Sequence, residues 1–130
     1  MNRVFLLAAA WIALLWPLPG RALDVIANES LTLTADEIRD TFLGEKLLVG
    51  TVKLVPVDNT SIQKEFLSKA LQTDTDKYYA RWSRKVYREG LTVPVAKGTD
   101  AEVTAFVKAT PGAVGYVSKA TRGVKILQSY

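Results

Sequence analysis

The chain has no cysteine and no histidine among its 130 residues, and a single methionine. Without imidazole or thiol it lacks the usual zinc ligands, the commonest general base and the thiol nucleophile, which argues against enzymatic function. No disulfide can form, so in an oxidising compartment the fold would rest on its core and hydrogen bonds alone. No glycine loop of the P-loop kind is present. The acidic pairs Asp36 with Asp40 and Asp74 with Asp76 sit where helix starts favour carboxylates, so they are expected to serve the helices. No enzyme activity, cofactor or metal site is expected.

Long apolar runs are also scarce. Val4 to Trp16 is one, preceded by Met1-Asn2-Arg3, broken by Pro17 and Pro19, and followed by the small-residue stretch Gly20-Arg21-Ala22. It falls short of the roughly 20 residues that a membrane-spanning helix needs. Residues 1–22 therefore read as a signal peptide, with export to the periplasm or beyond and no stable membrane insertion after cleavage. The remainder, 23–130, is roughly 110 residues, the size of one domain. Of 17 basic residues, Arg3 and Arg21 fall in the signal, so the rest nearly balance the 13 acidic ones. That balance, and the lack of a concentrated basic surface with stacking aromatics, argues against nucleic acid.

The pattern beyond residue 22 alternates strands with helices. Leu23, Val25 and Ile26 form a strand ending at the polar turn Asn28-Glu29-Ser30. Thr34 with Glu37 makes a capping box for a helix bearing Ile38, Phe42 and Leu43, stopped at Gly44. Leu47–Val49 and Val52–Val57 are β-branched runs around Gly50-Thr51, either a hairpin or one strand leading into the next. The turn Asp58-Asn59-Thr60-Ser61 then opens a helix from about Thr60 to Leu71, with Asp58 or Asn59 as its cap.

A further helix over Asp76–Val86 places Tyr78, Trp82 and Val86 on an apolar stripe, with Lys77, Arg81, Arg84, Lys85 and Arg88 on another face. The basic face is ordinarily a solvated one, and otherwise suits an acidic partner or lipid head groups. Leu91, Val93 and Val95 alternate as a strand, and Thr99 with Glu102 caps the helix of Val103, Phe106 and Val107. Strands at Ala113–Val117 and Val124–Leu127 close the chain. The fold class is α/β, with helices packed on a central sheet.

Several segments together carry a family resemblance. Thr110-Pro-Gly-Ala-Val-Gly-Tyr-Val117, preceded by Asp100-Ala-Glu-Val-Thr-Ala-Phe-Val107, resembles the closing helix and strand of periplasmic phosphate-binding proteins. Ile38-Arg-Asp-Thr-Phe-Leu-Gly44 and Tyr79-Ala-Arg-Trp82 fit the same order of parts. The resemblance implies the type II periplasmic-binding fold, in which two α/β lobes close on a solute and pass it to an ABC importer. The chain holds material like a single lobe, with a mixed central sheet flanked by helices.

In full-length relatives the turn before the middle helix reads Arg-x-Asp-Gly-Ser-Gly-Thr. Counting back from Phe66 places Asp58 on that Asp and Thr60 on that Ser. Pro56 stands for the Arg, Asn59 and Ser61 for the glycines, and Ile62 for the Thr. An Arg fork is the group best matched to phosphate and a proline cannot replace it, so any solute site is expected to be weak. As the resemblance implies, Asp58 would accept a proton from a monohydrogen phosphate.

The expected anion site is Asp58, Asn59, Thr60 and Ser61 at a helix start, where unpaired N–H groups and the helix dipole favour negative charge. Ser30 and the pair Lys97 and Thr99 are expected at the same sheet edge if their strands run parallel, with Lys97 supplying the missing positive charge. The expected function is that of an exported solute-binding-protein-like domain for phosphate or another small oxyanion, linked to an ABC importer. The alternative is an envelope protein–protein interaction module that has lost its solute. A homodimer would rebuild a two-sided cleft.

Overall fold

A computed structural model describes residues Leu23–Tyr130, so the expected signal peptide lies outside the described residues. A five-stranded sheet in the order β5-β4-β6-β1-β7 forms the middle layer. Its strands are β1 (Asp24–Ala27), β4 (Val55–Asn59), β5 (Val95–Lys97), β6 (Ala113–Val117) and β7 (Lys125–Ser129). β4 pairs parallel with both β5 and β6, whereas β1 pairs antiparallel with β6 and β7, so the sheet is mixed. A separate two-stranded hairpin joins β2 (Leu48–Val49) to β3 (Val52–Lys53), the first of the two arrangements open to that stretch.

Among the described residues four helices cover the two faces: α1 (Ala35–Phe42), α2 (Gln63–Ala70), α3 (Thr75–Glu89) and α4 (Asp100–Ala109). Strand alternation divides the apolar residues between the faces. Val25, Ala27, Val114 and Tyr116 point one way, into a core with Phe42 of α1, Phe66 and Leu67 of α2, and Tyr78 and Trp82 of α3. Ile26, Val57, Ala113 and Val117 point the other way, onto Val103 and Val107 of α4. Every residue of the central strand β6 is buried.

Local signals set several boundaries. Thr34 and Glu37 form the expected reciprocal capping box, and Asp74 accepts from the Lys77 N–H at the start of α3. Thr99 caps α4 by accepting from Glu102 N–H at 3.1 Å. The Glu102 carboxylate turns to the Thr99 hydroxyl at 3.2 Å, so the return half of a capping box is replaced by a side-chain contact.

Three expectations need correction. The strand expected over Leu91–Val95 is confined to Val95–Lys97, because Pro94 has no N–H to give the ladder. Val86 leaves the apolar stripe of α3 and is exposed, since the last turn runs past the core that buries Tyr78 and Trp82. The helix expected from about Thr60 begins at Gln63. Asp58 and Asn59 do not cap it: they are the last residues of β4, held by pairing with Ala96 and Lys97.

Candidate anion site at the carboxyl end of the parallel strands

Asp58 and Asn59 end a strand that is flanked on both sides, and both are buried, at 3% and 0% exposure. A carboxylate in that position needs donors, because an unpaired buried charge is costly. Two tyrosines supply them. The Tyr116 hydroxyl donates to Asp58 Oδ1 at 2.8 Å and the Tyr78 hydroxyl to Oδ2 at 2.9 Å.

Burial is the main influence on the Asp58 carboxyl and raises its pKa above the usual 3.8, with the Tyr116, Tyr78 and Gln63 side chains pulling the other way. Burial and the neighbouring Asp58 charge push both tyrosines upward. Asp58 thus ties α3 to β4 and β6 from within. It does not lie open to a phosphate, which corrects the role expected for it.

Asn59 is equally occupied. Its Nδ2 donates to Asp100 Oδ1 at 2.9 Å and to the Tyr116 carbonyl at 3.1 Å. Its Oδ1 accepts from the Ser61 N–H at 3.1 Å and the Ser61 hydroxyl at 2.5 Å, an Asx turn that carries the chain from β4 towards α2. Asp100 Oδ2 in turn accepts from the Ser118 N–H at 3.0 Å. One amide therefore joins the ends of β4 and β6 to the start of α4. Sequence reasoning missed Tyr78, Gln63, Asp100, Tyr116 and Ser118. The signal that could have exposed them is a charged and an amide residue ending an apolar strand, which must find buried partners.

The groups left facing outward are the exposed Thr60 and Ser61, the half-buried Lys97 and the first turn of α2. Ile62 occupies the N-cap position and gives no side-chain bond, so the N–H groups of Gln63, Lys64 and Glu65 find no partner among the described residues. Lys97 is the strand neighbour of Asn59, its carbonyl accepts from Thr60 N–H at 2.9 Å, and its ammonium lies 5.3 Å from the centre of the Phe106 ring. Thr99 follows β5 at the same end of the sheet, but its hydroxyl is engaged with Glu102.

Gln63 is only 7% exposed; its Oε1 accepts from the Tyr79 hydroxyl at 3.0 Å. Its Nε2 approaches Asp58 without a well-formed hydrogen bond and is a buried donor with no partner. A shallow hollow of about 400 Å³ runs along α2 beside Ser61, Ile62, Lys64 and Glu65. A second groove, of about 280 Å³, lies away from this end, between the β2–β3 hairpin and Leu91–Val95.

Ser30 is not brought to this site. Because β1 runs antiparallel to β6, Asn28 follows Ala27 at the opposite end, where its N–H bonds the Ala113 carbonyl and its side chain bonds the carbonyls of Val107 and Lys108. Ser30 donates there to Asn28 Oδ1. The parallel arrangement expected for its strand is the premise that fails.

The titration of Asp58 gives a testable sign. Since its folded pKa is raised, the folded state holds the proton more tightly than the unfolded chain. The stability this contributes is complete below pH 3.8 and is lost as pH rises through the folded value. Asp58→Asn removes the term. The stability of the natural protein minus that of Asp58→Asn is expected to fall with rising pH, by at most about 1.4 kcal/mol per pH unit, and then to level off. Urea unfolding of both proteins across the acidic range measures it; a difference that rises with pH contradicts the buried-carboxylate account.

Among the described residues no helix is long and apolar enough to cross a membrane, and no group of three or more His, Cys, Asp or Glu residues could hold a metal ion. No protein-family model and no curated protein sequence matches the chain. The fold does match a solved structure, the crystal structure of an ABC-type phosphate transport receptor from Vibrio cholerae. The TM-score is 0.52 and the identity 15%, over 83% of this chain and 46% of that one. The chain thus shares the mixed α/β periplasmic-binding fold and spans about half the length of the receptor it resembles.

Proposed function

We propose that this chain is an exported solute-binding-type lobe that takes phosphate or a similar small oxyanion at the start of α2 and works with an ABC importer. The observation that carries this reading is the uncapped first turn of α2, with the Gln63, Lys64 and Glu65 N–H groups unpartnered beside Thr60 and Ser61, and with Lys97 on the neighbouring strand, paired with Asn59. Helix starts of this kind favour anions through both their donors and their dipole. Likeness to a phosphate transport receptor supports the ligand class and a periplasmic location. Residues 1–22, read as a signal peptide, support export.

Asp58 and Asn59 act on this site indirectly, by fixing the turn that presents Thr60 and Ser61. With no guanidinium at the turn, affinity is expected in the millimolar range, about −4 kcal/mol. Calorimetric titration of the purified protein with inorganic phosphate at low salt tests this. Saturable heat that disappears in Ser61→Glu and weakens several-fold in Lys97→Ala supports the reading. Heat absent at millimolar phosphate, or unchanged in Ser61→Glu, removes it.

A second reading, a protein–protein module of the cell envelope that no longer holds a solute, is favoured by one specific observation. Asp58, which falls on the carboxylate of the family's anion turn, and Asn59 beside it are both engaged inside the protein. A null phosphate titration together with a defined partner or a homodimer in solution would select it.

A further inference from the structure

Helix α3 carries a feature that oxyanion binding does not use. Arg81, Arg84, Lys85 and Arg88 recur at spacings that place them along one stripe of the helix. Glu45, on the loop after α1, takes both Arg81 Nη2 and, at 3.1 Å, Lys85 Nζ; Lys85 also pairs with Glu89 at 3.1 Å. These two carboxylates hold the two half-buried cations. Arg84 and Arg88, one turn apart, are exposed and make no ion pair among the described residues. The six side chains border a hollow of about 160 Å³ with four cations against two carboxylates. Tyr87, between the two arginines in sequence, is 90% exposed.

We propose that this stripe is a docking surface for an acidic segment of another protein, whose carboxylates meet Arg84 and Arg88 while an apolar side chain lies against Tyr87. Charge complementarity carries the choice of occupant. Residues 23–130 are nearly balanced, with 15 basic against 13 acidic residues, whereas this stripe sets four cations against two carboxylates. Two guanidiniums one turn apart, roughly 6 Å, match carboxylates three or four residues apart on a partner helix. Tyrosine and arginine are also the side chains that most often carry interface energy.

A lipid surface is the weaker match. A helix that lies in a membrane interface presents a broad apolar face beside its basic one, and the apolar face of α3, with Tyr78 and Trp82, is buried in the core. The stripe is also separate from the anion site. Arg88 lies ten residues beyond Tyr78, roughly 15 Å along the helix, so a partner here leaves the first turn of α2 open.

The test uses the purified protein and a fluorescently labelled peptide in which glutamate and leucine residues alternate in pairs, with the lysine–leucine peptide as control. Binding followed by anisotropy is expected for the acidic peptide alone, weakening as salt is raised. Arg84→Glu with Arg88→Glu should lower affinity at least about tenfold, and Tyr87→Ser several-fold, with thermal unfolding little changed because all three sites are exposed. Lys97→Ala should leave peptide binding intact, and the double arginine variant should leave the phosphate titration intact, so the two surfaces fail independently. No peptide binding, binding unaltered by the double charge reversal, or tighter association with anionic phosphatidylglycerol vesicles than with the peptide would each overturn the proposal.

Discussion

Gly112→Ala is expected to destabilise the protein by about 3–4 kcal/mol, a large share of the 5–15 kcal/mol typical of a domain. Gly112 sits at φ +83°, immediately before β6, where its carbonyl accepts the Val55 N–H at 2.9 Å. A Cβ added there would lie 2.0 Å from the Lys53 carbonyl oxygen and 3.2 Å from Val52 Cγ1. That oxygen belongs to the backbone at the end of β3, so relief requires the strand connection itself to move. Gly50→Ala provides the comparison: its φ is +59° but nothing lies within 4 Å of the added carbon. It should cost only about 1 kcal/mol, the conformational part alone. Equal losses for the two variants in urea unfolding would refute the steric account.

Truncating Tyr116 should cost as much or more. Its ring stacks on Phe66 at 3.8 Å between centres and meets Phe42 edge-on at 5.7 Å, so Tyr116→Ala opens a cavity where three elements converge. Large aromatic-to-alanine changes in cores cost about 3–5 kcal/mol. The same change also removes one of the two hydroxyls that hold the buried Asp58 carboxylate. Tyr116→Phe separates the effects. It keeps the ring and loses only the donor, for an expected loss of about 1.5–3 kcal/mol, the range for hydrogen bonds to charged groups. In Tyr116→Phe the Asp58 proton should be held more tightly still, moving the acid-range stability profile upward in pH. A loss for Tyr116→Phe equal to that for Tyr116→Ala would contradict the packing role.

Local chemistry made much of the fold legible. The Thr34 capping box, the spacing of Phe66 and Leu67, and the apolar Ala113–Val117 run each appear as read, because helix caps and side-chain periodicity act within a few residues. What failed to show was non-local. Strand direction decides which loops share an edge, and nothing near Ser30 encodes that β1 runs against β6. The polar pair Asp58 and Asn59 reads as a turn, since both residues favour caps. The sheet overrides that preference by pairing them with Ala96 and Lys97 of β5 and giving their side chains Tyr78, Tyr116 and Asp100. Of the residues expected at one sheet edge, Thr60, Ser61 and Lys97 do lie at the same end of the parallel strands. The orphan Nε2 of Gln63 was not legible in the sequence, because its burial depends on Tyr79 of the next helix.

The most direct test of the central claim is a phosphate titration of the isotopically labelled protein followed by amide NMR. An oxyanion held at the start of α2 predicts saturable shifts centred on the Gln63, Lys64 and Glu65 amides and on Thr60 and Ser61, with Arg84 and Arg88 unmoved. Amides at the start of α2 that stay still at millimolar phosphate, or shifts that gather instead along the basic stripe of α3, would contradict it.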